Sequence, residues 1–201
     1  MTDRLIIFVK RPEPGRVKTR LAASIGPEAA CRVYVELLEG LFTRLAVLSG
    51  VELRVAPDDA VTTQTEWLRT GWSLRPQGHG DLGERLKRGF QEAFAQGATR
   101  VLAIGSDCPY VESHHIADAF GRLAKNDVVI GPALDGGYWL IGMKHYRPEM
   151  FSGIDWSTAR VRAQTELQAQ NGDASVALLE PLEDIDDRAS WERFKKRRSN
   201  S

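Results

Sequence analysis

Short, continuously apolar runs alternate with longer stretches whose apolar residues recur every three or four positions, and this rhythm persists along nearly the whole chain. The first run, Leu5-Ile6-Ile7-Phe8-Val9, is bounded by charged residues, as a strand covered on both faces would be. Gly26-Pro27 then opens a helix, because proline suits a first helical position and Val33, Leu37, Leu38, Leu41 and Leu45 fall on one face. Further strands are predicted over 51–56, 72–75, 101–104, 128–130, 138–143 and 176–179. Between them, helices are predicted near 63–69, 113–124 and 157–170, with one more starting at Asp81 and a last one from about Asp187. Asp81 stands three residues before Glu84, a capping arrangement. Alternation of this kind predicts a three-layer α/β/α fold around a mainly parallel, mixed sheet.

With 201 residues and no linker or repeat, the chain reads as one domain over residues 1–195, followed by a polar tail at 196–201. Lysine plus arginine and aspartate plus glutamate number 27 each, so a broad cationic surface for nucleic acid is not expected. The apolar runs are too short to span a membrane or serve as a signal segment. Two isolated cysteines, Cys31 and Cys108, read as reduced thiols of a cytoplasmic protein. The oligomeric state is not legible.

In a parallel sheet, ligands bind beyond the carboxyl ends of the strands, so the loops leaving those ends carry the functional reading. The loop after Val9 holds Lys10, Arg11, Arg16, Lys18 and Arg20 around Gly15, a pattern suited to phosphate. It has neither the Walker spacing nor a dinucleotide fingerprint. Gly105-Ser106-Asp107-Cys108-Pro109 sets Asp107 directly after a strand, where it can hold a hard divalent cation. One carboxylate holds magnesium weakly, and Asp186 of Glu183-Asp184-Ile185-Asp186-Asp187 is the partner chosen for it, with Asp187 capping the last helix.

Asp135-Gly136-Gly137-Tyr138-Trp139 joins an acid, able to take a proton from a hydroxyl, to flexible and aromatic residues. Trp139 is expected in the core. In the turn from Gly78 to Gly83, Gly83 is a candidate for nucleotide contact, whereas His79 has no metal-ligand spacing to His114 or His115. Lys195-Lys196-Arg197-Arg198 complements a helix C-terminus. No G-x-S-x-G element supports a hydrolase.

Taken in order, several segments resemble a bacterial family (DUF2064) of transferases associated with radical-SAM and arsenosugar gene clusters. They are Phe8-Val9-Lys10 through Pro14-Gly15-Arg16-Val17-Lys18-Thr19-Arg20-Leu21, Gly80 to Arg85, Ile104 to Pro109, Gly131-Pro132, Asp135 to Trp139, Phe151 with Trp156-Ser157-Thr158, and Asp184-Ile185-Asp186. The resemblance implies a nucleotide-diphospho-sugar transferase (GT-A) fold. Lys18-Thr19-Arg20-Leu21 and the closing aspartates also resemble phospholactate guanylyltransferases. Gly105 stands where a glycosyltransferase D-x-D would place its first aspartate.

The expectation that follows is a transferase dependent on Mg²⁺ or Mn²⁺ that moves a sugar from a nucleotide-sugar donor to a small-molecule acceptor. Arg11, Lys18 and Arg20 would hold the diphosphate with Lys10 and Gly15 beside them, Asp107 and Asp186 the metal, and Asp135 would be the base. Nucleotidyl transfer with release of pyrophosphate is the alternative, and a catalytically silent nucleotide-binding module a third reading.

Overall fold

A computed structural model of the chain describes residues 2–199. The opening apolar run forms β1 (Asp3–Lys10), which pairs in parallel with β2 (Val51–Ala56) on one side and β4 (Arg100–Ile104) on the other. With β3 (Trp72–Pro76), β5 (Val128–Pro132), β6 (Tyr138–Met143) and β7 (Val176–Leu178), they make one seven-stranded sheet. Its order is β3-β2-β1-β4-β6-β5-β7. Only β6 runs against its neighbours, antiparallel to both β4 and β5. The mainly parallel mixed sheet expected from the sequence is therefore present.

The continuous apolar character of β1 follows from cover on both faces. On one side Leu5 and Ile7 join a cluster with Leu38, Leu41 and Phe42 of α2 (Pro27–Leu45) and Ile116 and Leu123 of α4 (Ser113–Leu123). On the other, Ile6 joins Leu86 and Phe90 of α3 (Leu82–Ala95) and Ala169 of α5 (Val161–Asn171). A smaller cluster of Leu21, Ala30, Leu37 and Ile185 packs α1 (Thr19–Ile25) on α2, with Trp191 and Phe194 of α6 (Arg188–Ser199) against it. No helix among the described residues is long and apolar enough to cross a membrane.

Five expectations change. The helix expected near 63–69 is instead a pair of 3₁₀ turns, Asp58–Thr62 and Thr65–Trp67. Val61, Thr62, Thr63 and Thr65 are β-branched and resist α-helix, while Trp67 is drawn onto Phe42 at 5.7 Å between ring centroids. The basic loop ends sooner than expected, because Lys18 turns the chain with φ 48° and Thr19 and Arg20 enter α1. Helix α5 starts at Val161 after left-handed Ser157, and Glu112 rather than Ser113 caps α4. Residues 196–199 of the expected tail are helical; Arg197 lies over the Tyr110 ring at 5.0 Å and Arg198 over Phe194 at 5.5 Å. Residues 200 and 201 of that tail lie outside the described residues.

Candidate functional site

Strands β1 and β4 are neighbours, so the loops leaving their carboxyl ends meet. Lys18 comes off the first loop with its side chain only 2% exposed and its ammonium in an ion pair with Asp107 of the second. Asp186 Oδ1 lies 3.7 Å from the same nitrogen, and Arg20, 74% exposed, reaches within 3.9 Å of Asp186 Oδ2. Asp107 and Asp186 are 46% and 38% exposed. A buried cation thus backs two carboxylates whose other sides remain open. Burying an ammonium without such partners would be costly, which makes the three groups one unit.

Backbone strapping brings Asp186 there from the far end of the chain. Leu182 N–H donates to Pro132 O at 3.0 Å, Leu134 N–H to Leu182 O at 3.1 Å, and Ile185 N–H to Asp107 O at 3.0 Å. Ile185 is fully buried between its acidic neighbours and acts as the anchor. Asp184 is pushed up to about 7, first by burial and then by the charges of Asp107 and Asp186, with Lys18 pulling the other way. Burial also raises Asp186, and the charge of Asp135 adds to both.

Three residues of this region were not singled out by the sequence. Asp184 belongs to the run of acids and to the closing segment Asp184-Ile185-Asp186, with no role of its own there. Tyr34 of α2 reads as a core aromatic, yet its hydroxyl accepts from Lys10 N–H at 2.8 Å and lies 3.1 Å from Ser106 Oγ, tying the two loops together. Gln77 donates to Val9 O at 2.7 Å and to Arg54 O at 3.0 Å, fixing the exit of β3 against β1. No local pattern marks either residue, since both act through contacts distant in sequence.

The remaining candidates separate. Lys10 is exposed at the end of β1, and Gly15 sits in the loop with φ 80°. Arg11 and Arg16 are both turned to Glu13, at 3.3 and 3.2 Å. Gly83, expected to face a nucleotide, is buried where a Cβ would collide with the Trp156 indole, so its requirement is helix packing. Asp135 is exposed, and its Oδ1 accepts the Gly137 N–H at 2.9 Å. Asp81 caps α3 as expected, accepting from Glu84 N–H at 2.9 Å, and Asp187 accepts from Ser190 N–H at 2.8 Å before α6. Cys31 and Cys108 are free thiols; burial pushes Cys108 up to about 12.

A cavity of about 190 Å³ opens beside Asp107 and Asp184. Its walls are Phe8, Leu86, Tyr138, Trp139 and Ile141. Trp139 is buried, as expected of a core residue, but one surface of it faces this space.

A second polar group lies against Trp139, whose ring centroid is 5.8 Å from that of His115. His114, His115 and Glu180 bring three donor atoms within 4.8 Å of one another, the only such trio found among the described residues. Its wiring is that of a cap. His115 Nδ1 accepts the Glu112 N–H at 2.9 Å, which leaves the ring proton on Nε2, 2.7 Å from Glu180. A metal-bound imidazole donates through its second nitrogen, the opposite arrangement.

The profile of a family described as an uncharacterized protein conserved in bacteria (DUF2064) matches residues 43–158. A solved structure of a candidate nucleotide-diphospho-sugar transferase from Desulfovibrio desulfuricans G20 is similar with a TM-score of 0.87 at 35% identity, covering 93% of this chain and 84% of that one. Phosphoenolpyruvate guanylyltransferase of Sphaerobacter thermophilus is 28% identical over 134 residues, 66% of this chain and 63% of that protein. 2-Phospho-L-lactate guanylyltransferase of Methanocaldococcus vulcanius is 23% identical over 140 residues, 70% of this chain and 61% of that protein. The matched region thus spans less than two thirds of either guanylyltransferase.

Proposed function

The chain belongs to the DUF2064 family, and on that premise we propose that it is a metal-dependent transferase acting on the phosphate chain of a nucleotide, most consistent with nucleotidyl transfer to a phosphorylated small molecule. The observation that carries this reading is the meeting of Lys18, Asp107 and Asp186 beyond β1 and β4. The names of the two guanylyltransferases similar to the chain support the same direction.

The donor set fits a hard divalent cation. Asp107 and Asp186 offer carboxylate oxygens, the ligands that magnesium and manganese take. The Lys18 ammonium already lies between them, a sign that this spot calls for positive charge. Bound there, Mg²⁺ or Mn²⁺ would neutralise charge on the phosphate oxygens. Lys18 would then turn its ammonium to the phosphates, with Arg20 beside it and Lys10 and Arg11 further along the loop. In the step itself, an oxygen of the acceptor phosphate bonds to the α-phosphorus of the donor. The bond from that phosphorus to the pyrophosphate oxygen breaks, and the electron pair leaves on pyrophosphate. Lys18 and Arg20 stabilise the charge that accumulates on the leaving group. An acceptor phosphate is already ionised at neutral pH and needs no base, which suits an Asp135 engaged in its own turn.

Glycosyl transfer, favoured from the sequence by Tyr138-Trp139 beside an acid, is the second reading. Its support is the 35% identity to the candidate sugar transferase, and Asp135 would there take the proton of the acceptor hydroxyl. Incubation with nucleoside triphosphates or nucleotide sugars, Mn²⁺ and a panel of acceptors, with pyrophosphate and nucleoside diphosphate assayed separately, distinguishes the two. Pyrophosphate release is expected; nucleoside diphosphate from a nucleotide sugar, without pyrophosphate, would install the second reading. Lys18→Ala is expected to lower turnover by about 10²-fold or more, and unchanged turnover would remove Lys18 from the machinery.

A further inference from the structure

The cavity beside Asp107 has a chemistry of its own. Among the described residues no lysine, arginine or histidine lines it, and its only carboxyls are Asp107 and the more buried Asp184. The walls are aromatic and aliphatic, and Leu82 closes one rim while itself 44% exposed. The cations of the site all lie elsewhere. Lys18 is between Asp107 and Asp186, Arg20 is beside Asp186, and Arg11 and Arg16 are on Glu13. An anion placed deep in the cavity would be stripped of water among apolar walls, with the nearest cation, Lys18, on the far side of Asp107 rather than in the lining. An uncharged apolar body would replace poorly hydrated space with contact.

We propose that this cavity receives the body of the acceptor, and that this body is uncharged and largely apolar. The acceptor class is a phosphate monoester of an apolar alcohol or phenol, rather than of a hydroxy or enol carboxylic acid. This inference rests on the transferase reading above. The acceptor phosphate would remain at the mouth, near Asp107 and the cations beyond it, while the rest of the molecule points inward.

Gly105 is an exposed residue of the lining. A Cβ added to it meets nothing within 4 Å. Its φ lies outside the left-handed region, so a larger residue fits there without backbone strain. Leucine at this position adds bulk to the lining and leaves the basic loop and the carboxylates in place.

The experiment measures binding by calorimetry with Mn²⁺ present, for GTP and CTP first, then for phenyl phosphate and phosphoenolpyruvate as two probes of equal phosphate chemistry. For the wild-type chain, phenyl phosphate should bind at least about ten-fold more tightly than phosphoenolpyruvate. Gly105→Leu should weaken phenyl phosphate by a similar factor and change nucleotide affinity less than about two-fold. Equal or tighter binding of phosphoenolpyruvate to the wild type overturns the proposal, and needs no variant to be seen. Loss of nucleotide binding in folded Gly105→Leu, with no acceptor present, also overturns it, by assigning the cavity to the nucleobase. If neither nucleotide binds the wild type, it is the transferase reading that fails.

Discussion

Asp184 carries the most testable consequence at the scale of single residues. Its carboxyl is held up near 7 by burial and by Asp107 and Asp186, against an ordinary value of 3.8. Between those two values the folded chain holds a proton that the unfolded chain has released. The stability contributed by the neutral form is therefore complete below about pH 4 and is lost as pH rises through 7. Asp184→Asn keeps the shape without the charge. In EDTA, its advantage in Tm over the wild type should grow between pH 5 and pH 8, corresponding to roughly 2 kcal/mol at the upper end. A pH-independent difference would show that neither burial nor the neighbouring carboxylates raise Asp184. Nothing in the run Glu183 to Asp187 distinguishes Asp184 from the other acids until the strap buries it, so this residue was legible only as one of a cluster. Lys18 and Asp107 were legible because each follows an apolar run that ends at the ligand edge.

At the scale of elements, the arrangement turns on what binds α2 and the two neighbouring loops together. The Tyr34 hydroxyl spans Lys10 and Ser106, and its removal leaves the Lys10 N–H without that acceptor. Tyr34→Phe should cost about 1–3 kcal/mol and lower turnover as well, because Ser106 adjoins Asp107. Urea unfolding together with the pyrophosphate assay checks both effects; full stability with full turnover would make the hydroxyl incidental. Elements with strong periodicity, such as α2 with its leucine face, could be read directly. The 3₁₀ turns before β3 could not, because Trp67 answers to Phe42 across the fold rather than to its neighbours in sequence. The shift of the α5 start to Val161 has the same origin: Arg162 N–H donates to Gly136 O at 3.1 Å, a contact between the loop before β6 and this helix.

For the whole molecule, the two-sided cover of the sheet makes its apolar clusters the chief support of the site. Phe90 of α3 is fully buried against Phe151, at 5.5 Å between ring centroids. Phe90→Ala should cost about 3–5 kcal/mol, read as a fall in the urea midpoint; a change below 1 kcal/mol would mean that this face of the sheet tolerates a cavity, contrary to dense packing. The fold class was legible throughout, since alternating runs leave few alternatives, whereas the reversed direction of β6 had no local signature. The strap of residues 182–187 has one more consequence. Every strand of the sheet precedes it in the chain, while Asp186 belongs to it. A nascent chain can therefore have all its strands and Asp107 made before the second acidic partner of Lys18, Asp186, is translated. A nonsense mutation just before Ile185 would spare every strand yet remove Asp186, so the proposed activity would serve as a check that translation had passed this point.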